Sequence, residues 1–592
     1  MSGDVPVIEQ DDRVEITEQD AIAGKAPTAS RNLLDTHGIV AAGALLAACG
    51  SDGSSGSGLV TIVTPSPTLT PAPTPTPSPS PTTAALTPQG ASRFLAQATM
   101  GATRTTIDAV LNSGMAGWID AQFALPRDTG HWDWLVAKGF NDASVNANIN
   151  GQNGYDASVW RQAIAGSDPL RQRVALALLD FLVVGIGGIN MPWRAFSMAA
   201  YHDLLLDHAF GNYRDLLGAL TRSPAMGSFL SSAGSRRADS TTGVMPDENF
   251  ARELMQLFTL GVYQLEQDGS VRTSNGVPLE TYTLDDVSQL ARVFTGLNTV
   301  DFDNSTPARM RTPMRIYVTA NETGSATFLG ATVSGGGMAA VDSALDILFH
   351  HPNVAPFVSK QLIQRLVTSN PSRGYVGRVA AAFSNNGSGV RGDMKAVLRA
   401  VLLDGEARDD AAALASTTVG RLRDPVQRLT NWARAFGVTS PSDAWAIGDT
   451  TSTTLRLGQS IGRASSVFGF MRPGYAPPGT AMAQAGMTAP EFQIATEQTN
   501  IAYINYMQSL VGGGTGDVKA DYAPMMALAS DSQKLVDEVN LILAAGQLRS
   551  STVAAIRTAV DSIPLTANNA TLNRTGVAIL LTLASPDYLV LK

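Results

Sequence analysis

The first residues that could carry chemistry form one short stretch, Pro246-Asp247-Glu248-Asn249-Phe250-Ala251-Arg252-Glu253. Proline suits the first position of a helix, because it has no N–H to leave unpaired. Asp247 and Glu248 then fall in a first turn, where carboxylates suit the positive helix end. Glu248 and Arg252 are four apart and can pair along one face. Asn249, Glu253 and Gln256 form a polar stripe beside the apolar face of Phe250 and Leu254. A carboxylate bordering a core stripe can have a raised pKa, ligate a metal or pair with a buried arginine. Arg292, four residues before Gly296 on a separate predicted helix, is a possible partner. Two readings stay open. One is a polar site between helices, with Glu248 and Glu253 as acid–base groups or cation ligands. The other, which buried pairs more often serve, is a capped helix with ion pairs that fix packing. Asn249, Asp286 and Tyr475 complete the candidate polar set.

Arg472-Pro473-Gly474-Tyr475 lies in a Gly/Pro-rich loop, SVFGFMRPGYAPPG. Loops on rigid scaffolds often bind ligands, and Arg472 would suit a carboxylate, phosphate or sulfate. The alternative is a structured crossover packed by Phe468, Phe470 and Tyr475. His202 and His208 are six apart and fall on different helix faces, and His350-His351-Pro352-Asn353 reads as a helix junction. No HExxH or paired Glu-x-x-His is present. The only cysteine, Cys49, excludes a thiolate-rich metal site. No metal ligands are assigned, and any cofactor stays unknown. Gly458-Gln459-Ser460-Ile461-Gly462 fits G-x-S-x-G, but a nucleophile elbow needs a buried strand first, and the preceding TTSTTLRL is polar. Gly185-Ile186-Gly187-Gly188 follows a helical run, so it is not expected to cradle phosphate.

The elements that must position these residues are helices. Val174, Leu178, Phe181 and Leu182 share one face of Leu170–Val184. Phe250, Leu254, Leu257 and Phe258 repeat likewise, and Gly261 ends that helix. Val287, Leu290, Ala291 and Phe294 continue the pattern up to Gly296. Thr105–Asn112 and Gly117–Phe123 predict two short helices. Met314–Val333 alternates at period two and predicts a small β-hairpin-like insertion. The fold class expected is mainly α: a large multi-helix globular domain over 89–592, preceded by a disordered N-terminal region. No fixed-period repeat is present. Net charge is −9 and no Lys/Arg block appears, which argues against nucleic acid as a partner.

Residues 1–49 read as a signal region. Gly38–Ala48 is apolar but shorter than the roughly 20 residues that span a bilayer. Leu46-Ala47-Ala48-Cys49 has the form of a lipobox, with Cys49 as the lipidation site. Gly50, rather than an aspartate, favours the outer membrane of a diderm. The preceding segment is acidic, and Ser30-Arg31-Asn32-Leu33-Leu34 keeps only one arginine of a twin-arginine signal, so the export route stays open. Residues 50–88 are Ser/Gly- and then Pro/Thr-rich, an extended tether.

Several blocks then occur in a recognisable order: RFLAQATMGAT (93–103), DPLRQRVALAL (168–178), FGNYRDLL (210–217) and PAMGSFLS (224–231). PDENFARELMQLFTLGV (246–262), HPNVAPFVSKQLIQRLV (351–367), SVFGFMRPGYAPPG (466–479) and PEFQI (490–494) follow. Together they resemble the bacterial family known as domain of unknown function 1800. The resemblance implies an exported, largely helical protein, often encoded beside a second exported, sulfatase-like family, 1501, which is thus a possible partner. It implies no reaction and no catalytic residues. Where that family tends to carry His-Asp and Lys before Phe-Leu-Gly, this chain has Asn321 to Gly330, NETGSATFLG. The two functions expected are a lipid-anchored binding or scaffold protein, and an extracytoplasmic hydrolase or transferase acting on envelope or extracellular polymers.

Overall fold

The computed structural model describes residues 85–300 and 304–592. The signal region, Cys49 and nearly all of the tether lie outside the described residues. The first helix, Pro88–Ala98, opens with proline behind Thr87, whose hydroxyl accepts the Gly90 N–H. From there the chain is mainly α, and the β structure among the described residues is confined to two-stranded ladders. One apolar core runs from Ala91 to Tyr588. Among the described residues no helix is long and apolar enough to cross a membrane.

Apolar periodicity places most helices. Val287, Leu290, Ala291 and Phe294 are all buried on the Leu284–Phe294 helix. Gly261 and Gly296 take left-handed φ values of 75° and 80°, the conformation that ends a helix most easily on glycine. The two helices expected around residues 105–123 are one run, Arg104–Ala124, broken at Gly114 by φ 69°. The helix expected over 170–184 stops earlier, at Leu179, and the chain leaves it through a tighter turn in which the Phe181 N–H donates to the Leu178 carbonyl at 3.2 Å. Phe181 to Val184 remain buried without being helical.

The β insertion forms, with a different pairing. Ala326–Phe328 and Ala331–Val333 make a hairpin, whereas Arg315–Ile316 pairs with Leu297–Asn298. A further ladder joins Arg421–Leu422 to Val590–Leu591. It seats the chain just ahead of the Pro425–Ala435 helix, whose N-cap Asp424 accepts the Gln427 N–H at 2.8 Å.

Candidate functional site

The helix predicted at Pro246 begins three residues later, at Asn249. The Asp247 carboxylate accepts the Asn249 N–H at 2.9 Å, and this turn delays the start. Glu248 pairs with Arg252 at 2.9 Å and accepts the Ser288 hydroxyl. Asn249 is exposed. Glu253 is buried; its Oε2 has no hydrogen bond, and burial raises its pKa against the opposing effect of Arg252. Arg292 donates to Gln289 at 2.7 Å, not to Glu253. Asp286 caps its own helix through Thr283 and holds the hairpin turn through the Leu329 N–H at 2.7 Å. Burial works to raise its pKa, but these N–H donors keep it below the ordinary carboxylate range. Arg472 is exposed, and Tyr475 is tied by its backbone to Arg472 and Ala489. Among the described residues no hydrogen bond or ion pair joins Glu248, Glu253, Arg292 and Arg472 into one constellation.

The two regions that hold these residues do meet, through neighbours of the expected ones. After Glu253 the helix widens into a π-turn, Leu254–Thr259, with the Leu260 and Gly261 N–H groups both on the Met255 carbonyl. Such turns recur at functional sites. Gln256 and Leu257 of this turn, Phe357, Gln361 and Arg365 of the Val354–Leu366 helix, and Val467, Phe468 and Pro473 of the loop line a cavity of about 170 Å³. Asp180, at the end of the Pro169–Leu179 helix, forms part of its wall. Asp180 also lines a smaller cavity of about 50 Å³, with Arg173, Asp424, Gln427 and Ser460.

Asp180 belongs to a compact cluster of charges. Arg365 lies over the Phe181 ring at 5.0 Å and donates to the Asp180 carbonyl at 3.1 Å and to Gln361. Arg173 donates to the Arg365 carbonyl at 2.6 Å. Arg421 bridges Glu491 at 3.1 Å and Asp424 at 3.3 Å. Three cations thus face three carboxylates, yet the Asp180 carboxylate receives no hydrogen bond from any described residue. Burial raises its pKa to about 6, reinforced by Asp424 and opposed by Arg365, Arg173 and Arg421. Burial lowers Arg173 and Arg365 to about 10, which leaves both cationic at neutral pH.

The glycines of two decoy motifs fasten this region. A Cβ on Gly185 would sit 2.0 Å from the Ala464 carbonyl oxygen, and one on Gly462 would strike the Tyr155 hydroxyl. The Ile186 N–H donates to the Gly462 carbonyl at 2.9 Å. Ser460 lies in irregular chain, without the strand and helix of a nucleophile elbow. His202 is buried against Tyr155 and His131, and burial holds its pKa at about 3. Among the described residues no three His, Cys, Asp or Glu side chains gather as a metal site. Asn321 serves packing: it donates to the Thr295 carbonyl at 2.6 Å and accepts the Gly337 N–H at 2.7 Å. Depressions of about 660 and 470 Å³ lie elsewhere. The first presents Arg236 and Arg237 to solvent, and in the second Arg127 and Arg222 already pair with carboxylates.

A family model described as "Protein of unknown function (DUF1800)" matches residues 93–590. The chain belongs to the DUF1800 family. No curated protein and no solved structure matches it. In this DUF1800 protein, five of the blocks that carried the resemblance meet at the charge cluster and its cavities. They supply Arg173, the π-turn with Gln256, Arg365, the loop with Phe468, and Glu491. Asp180 lies two residues beyond the end of one of them. Sequence reasoning passed over Asp180 and Arg365 because both sit in apolar helical runs, LALLDFLVV and KQLIQRLV. An ionisable group inside such a run was the available signal, because a buried charge must be paired or stand in a special site.

Proposed function

We propose that this DUF1800 protein is exported, anchored through a lipid on Cys49 and held off the membrane by its Pro/Thr tether, and that it binds a small polar ligand at the Asp180 cavity. The observation that carries the binding reading is a half-buried aspartate that lines two cavities and whose carboxylate receives no hydrogen bond from any described residue. A carboxylate at a cavity wall without a protein donor is a position that a ligand's donor can complete. The apolar run ending in the lone cysteine supports the anchor, and Gly50 supports the outer membrane. An exported protein of the 1501 family is the proposed partner. Thermal-shift screening of the mature protein against amines, amino acids, sugars, nucleosides and organic acids tests the pocket. A stabilising hit lost in Asp180→Asn is expected; a library without any Asp180-dependent hit sinks the reading. Radiolabelled palmitate should enter the wild type and not Cys49→Ser.

A second reading has one observation in its favour. A carboxyl group whose pKa lies near 6 in a cavity suits proton transfer at neutral pH. On that reading the protein is an extracytoplasmic hydrolase or transferase acting on envelope polymers, with Asp180 as the acid–base group. Its signature is a rate that titrates near pH 6 in the wild type and vanishes in Asp180→Asn.

A further inference from the structure

The donors and acceptors left open in the cavity restrict what can fill it. The Asp180 carboxylate only accepts when ionised. The Gln256 Oε1 already accepts the Tyr282 hydroxyl at 2.9 Å, and the Gln361 Oε1 accepts Arg365. Neither amide nitrogen makes a hydrogen bond among the described residues, so each has N–H groups to donate. Both terminal nitrogens of Arg365 are engaged by protein oxygens, which leaves little of its fork for an anion. The remaining wall is apolar, with Leu257, Phe357, Val467 and Phe468.

An ammonium would satisfy Asp180 but leave both amides without acceptors. A carboxylate or phosphate would satisfy the amides but meet Asp180 as a like charge. A hydroxyl both donates and accepts, so adjacent hydroxyls serve the carboxylate and the amides together. Phe357 and Phe468 provide an apolar surface for the C–H face of a ring. The volume, about 170 Å³, lies below the roughly 300–1,000 Å³ of pockets for drug-sized ligands, which points to one monomer-sized unit. We infer that the cavity takes a single neutral polyhydroxylated ring, a sugar unit, held between Asp180 and the amides of Gln256 and Gln361. The inference rests on the pocket reading above and adds the ligand class.

The test is isothermal titration calorimetry of the mature protein at pH 7.5. The probes are glucose, galactose, mannose, xylose and N-acetylglucosamine, with n-butylamine and inorganic phosphate as comparators. At least one sugar should bind, and neither comparator should. Asp180→Asn should weaken that sugar by about tenfold, the worth of a hydrogen bond to a charged group. Gln361→Met, which keeps the side chain's length, should weaken it by roughly threefold to tenfold. Phe468→Ala changes a side chain that is already partly exposed and should also weaken binding, which keeps the test open if a buried variant fails to fold. Binding of n-butylamine or phosphate but of no sugar overturns the ligand class and leaves the pocket standing. Sugar binding untouched by all three substitutions overturns the location. No binding by any probe overturns the class, and the pocket reading falls with it only if the wider screen also finds nothing that depends on Asp180.

Discussion

Asp180, half-buried, and Asp203, buried, meet the loss of water in opposite ways. Burial raises each carboxyl pKa to about 6. Asp203 accepts the His131 and Trp132 N–H groups, each at 2.9 Å, and touches Arg127 at 2.5 Å. It closes the start of the His131–Ala137 helix and is saturated. Asp180 has cations nearby and no donor to its carboxylate among the described residues. A shifted pKa therefore does not tell these two carboxylates apart; hydrogen bonding does.

The widest separation is expected on removing each carboxylate. Asp203→Ala strands two N–H groups and weakens the hold on Arg127. A loss of about 3 kcal/mol is expected in urea unfolding, the low end for a broken buried pair because Asp207 still meets Arg127. An unchanged midpoint would show that Asp203 is no more structural than Asp180. Asp180→Asn should act with the opposite sign. A proton bound more tightly in the folded state than in the unfolded chain makes stability full below about pH 4, and that part is lost as pH rises through about 6. The asparagine carries no charge, so its melting temperature should exceed the wild type's by about 2 °C at pH 7.5 and match it at pH 4. A drop at pH 7.5 would show that the Asp180 charge supports the fold. Arg472→Ala should change stability by no more than about 0.5 kcal/mol, because the side chain is exposed and unpaired among the described residues. A larger loss would draw that loop into the charge cluster.

Much of the fold was legible because helix periodicity is a local signal. Val287, Leu290 and Phe294 announce a buried face within eleven residues, and Gly261 and Gly296 announce its ends. The pairing of Arg315–Ile316 was not legible, because its partner strand lies at Leu297–Asn298, beyond the alternating stretch. The π-turn was hidden as well: Leu254, Leu257 and Phe258 fit an ordinary helix equally well. The neighbourhood of the cavity was legible, since both the 246–262 stretch and the 466–479 loop were singled out. Its lining was not. Residue type favoured Glu253 and Arg472, whereas the chain path brings Gln256 and Phe468 to the cavity wall.

The ladder between Arg421–Leu422 and Val590–Leu591 bears on when the cluster can form. Arg421 leaves the ribosome well over a hundred residues before its strand partner. Until Val590 arrives, the segment that aims Arg421 at Glu491 and Asp424 rests on Thr368 and Ser369 alone on one side and lacks its strand partner on the other. Completion of the charge cluster is thus a late event in biosynthesis, and a chain threaded through a membrane in extended form would complete it only on the far side.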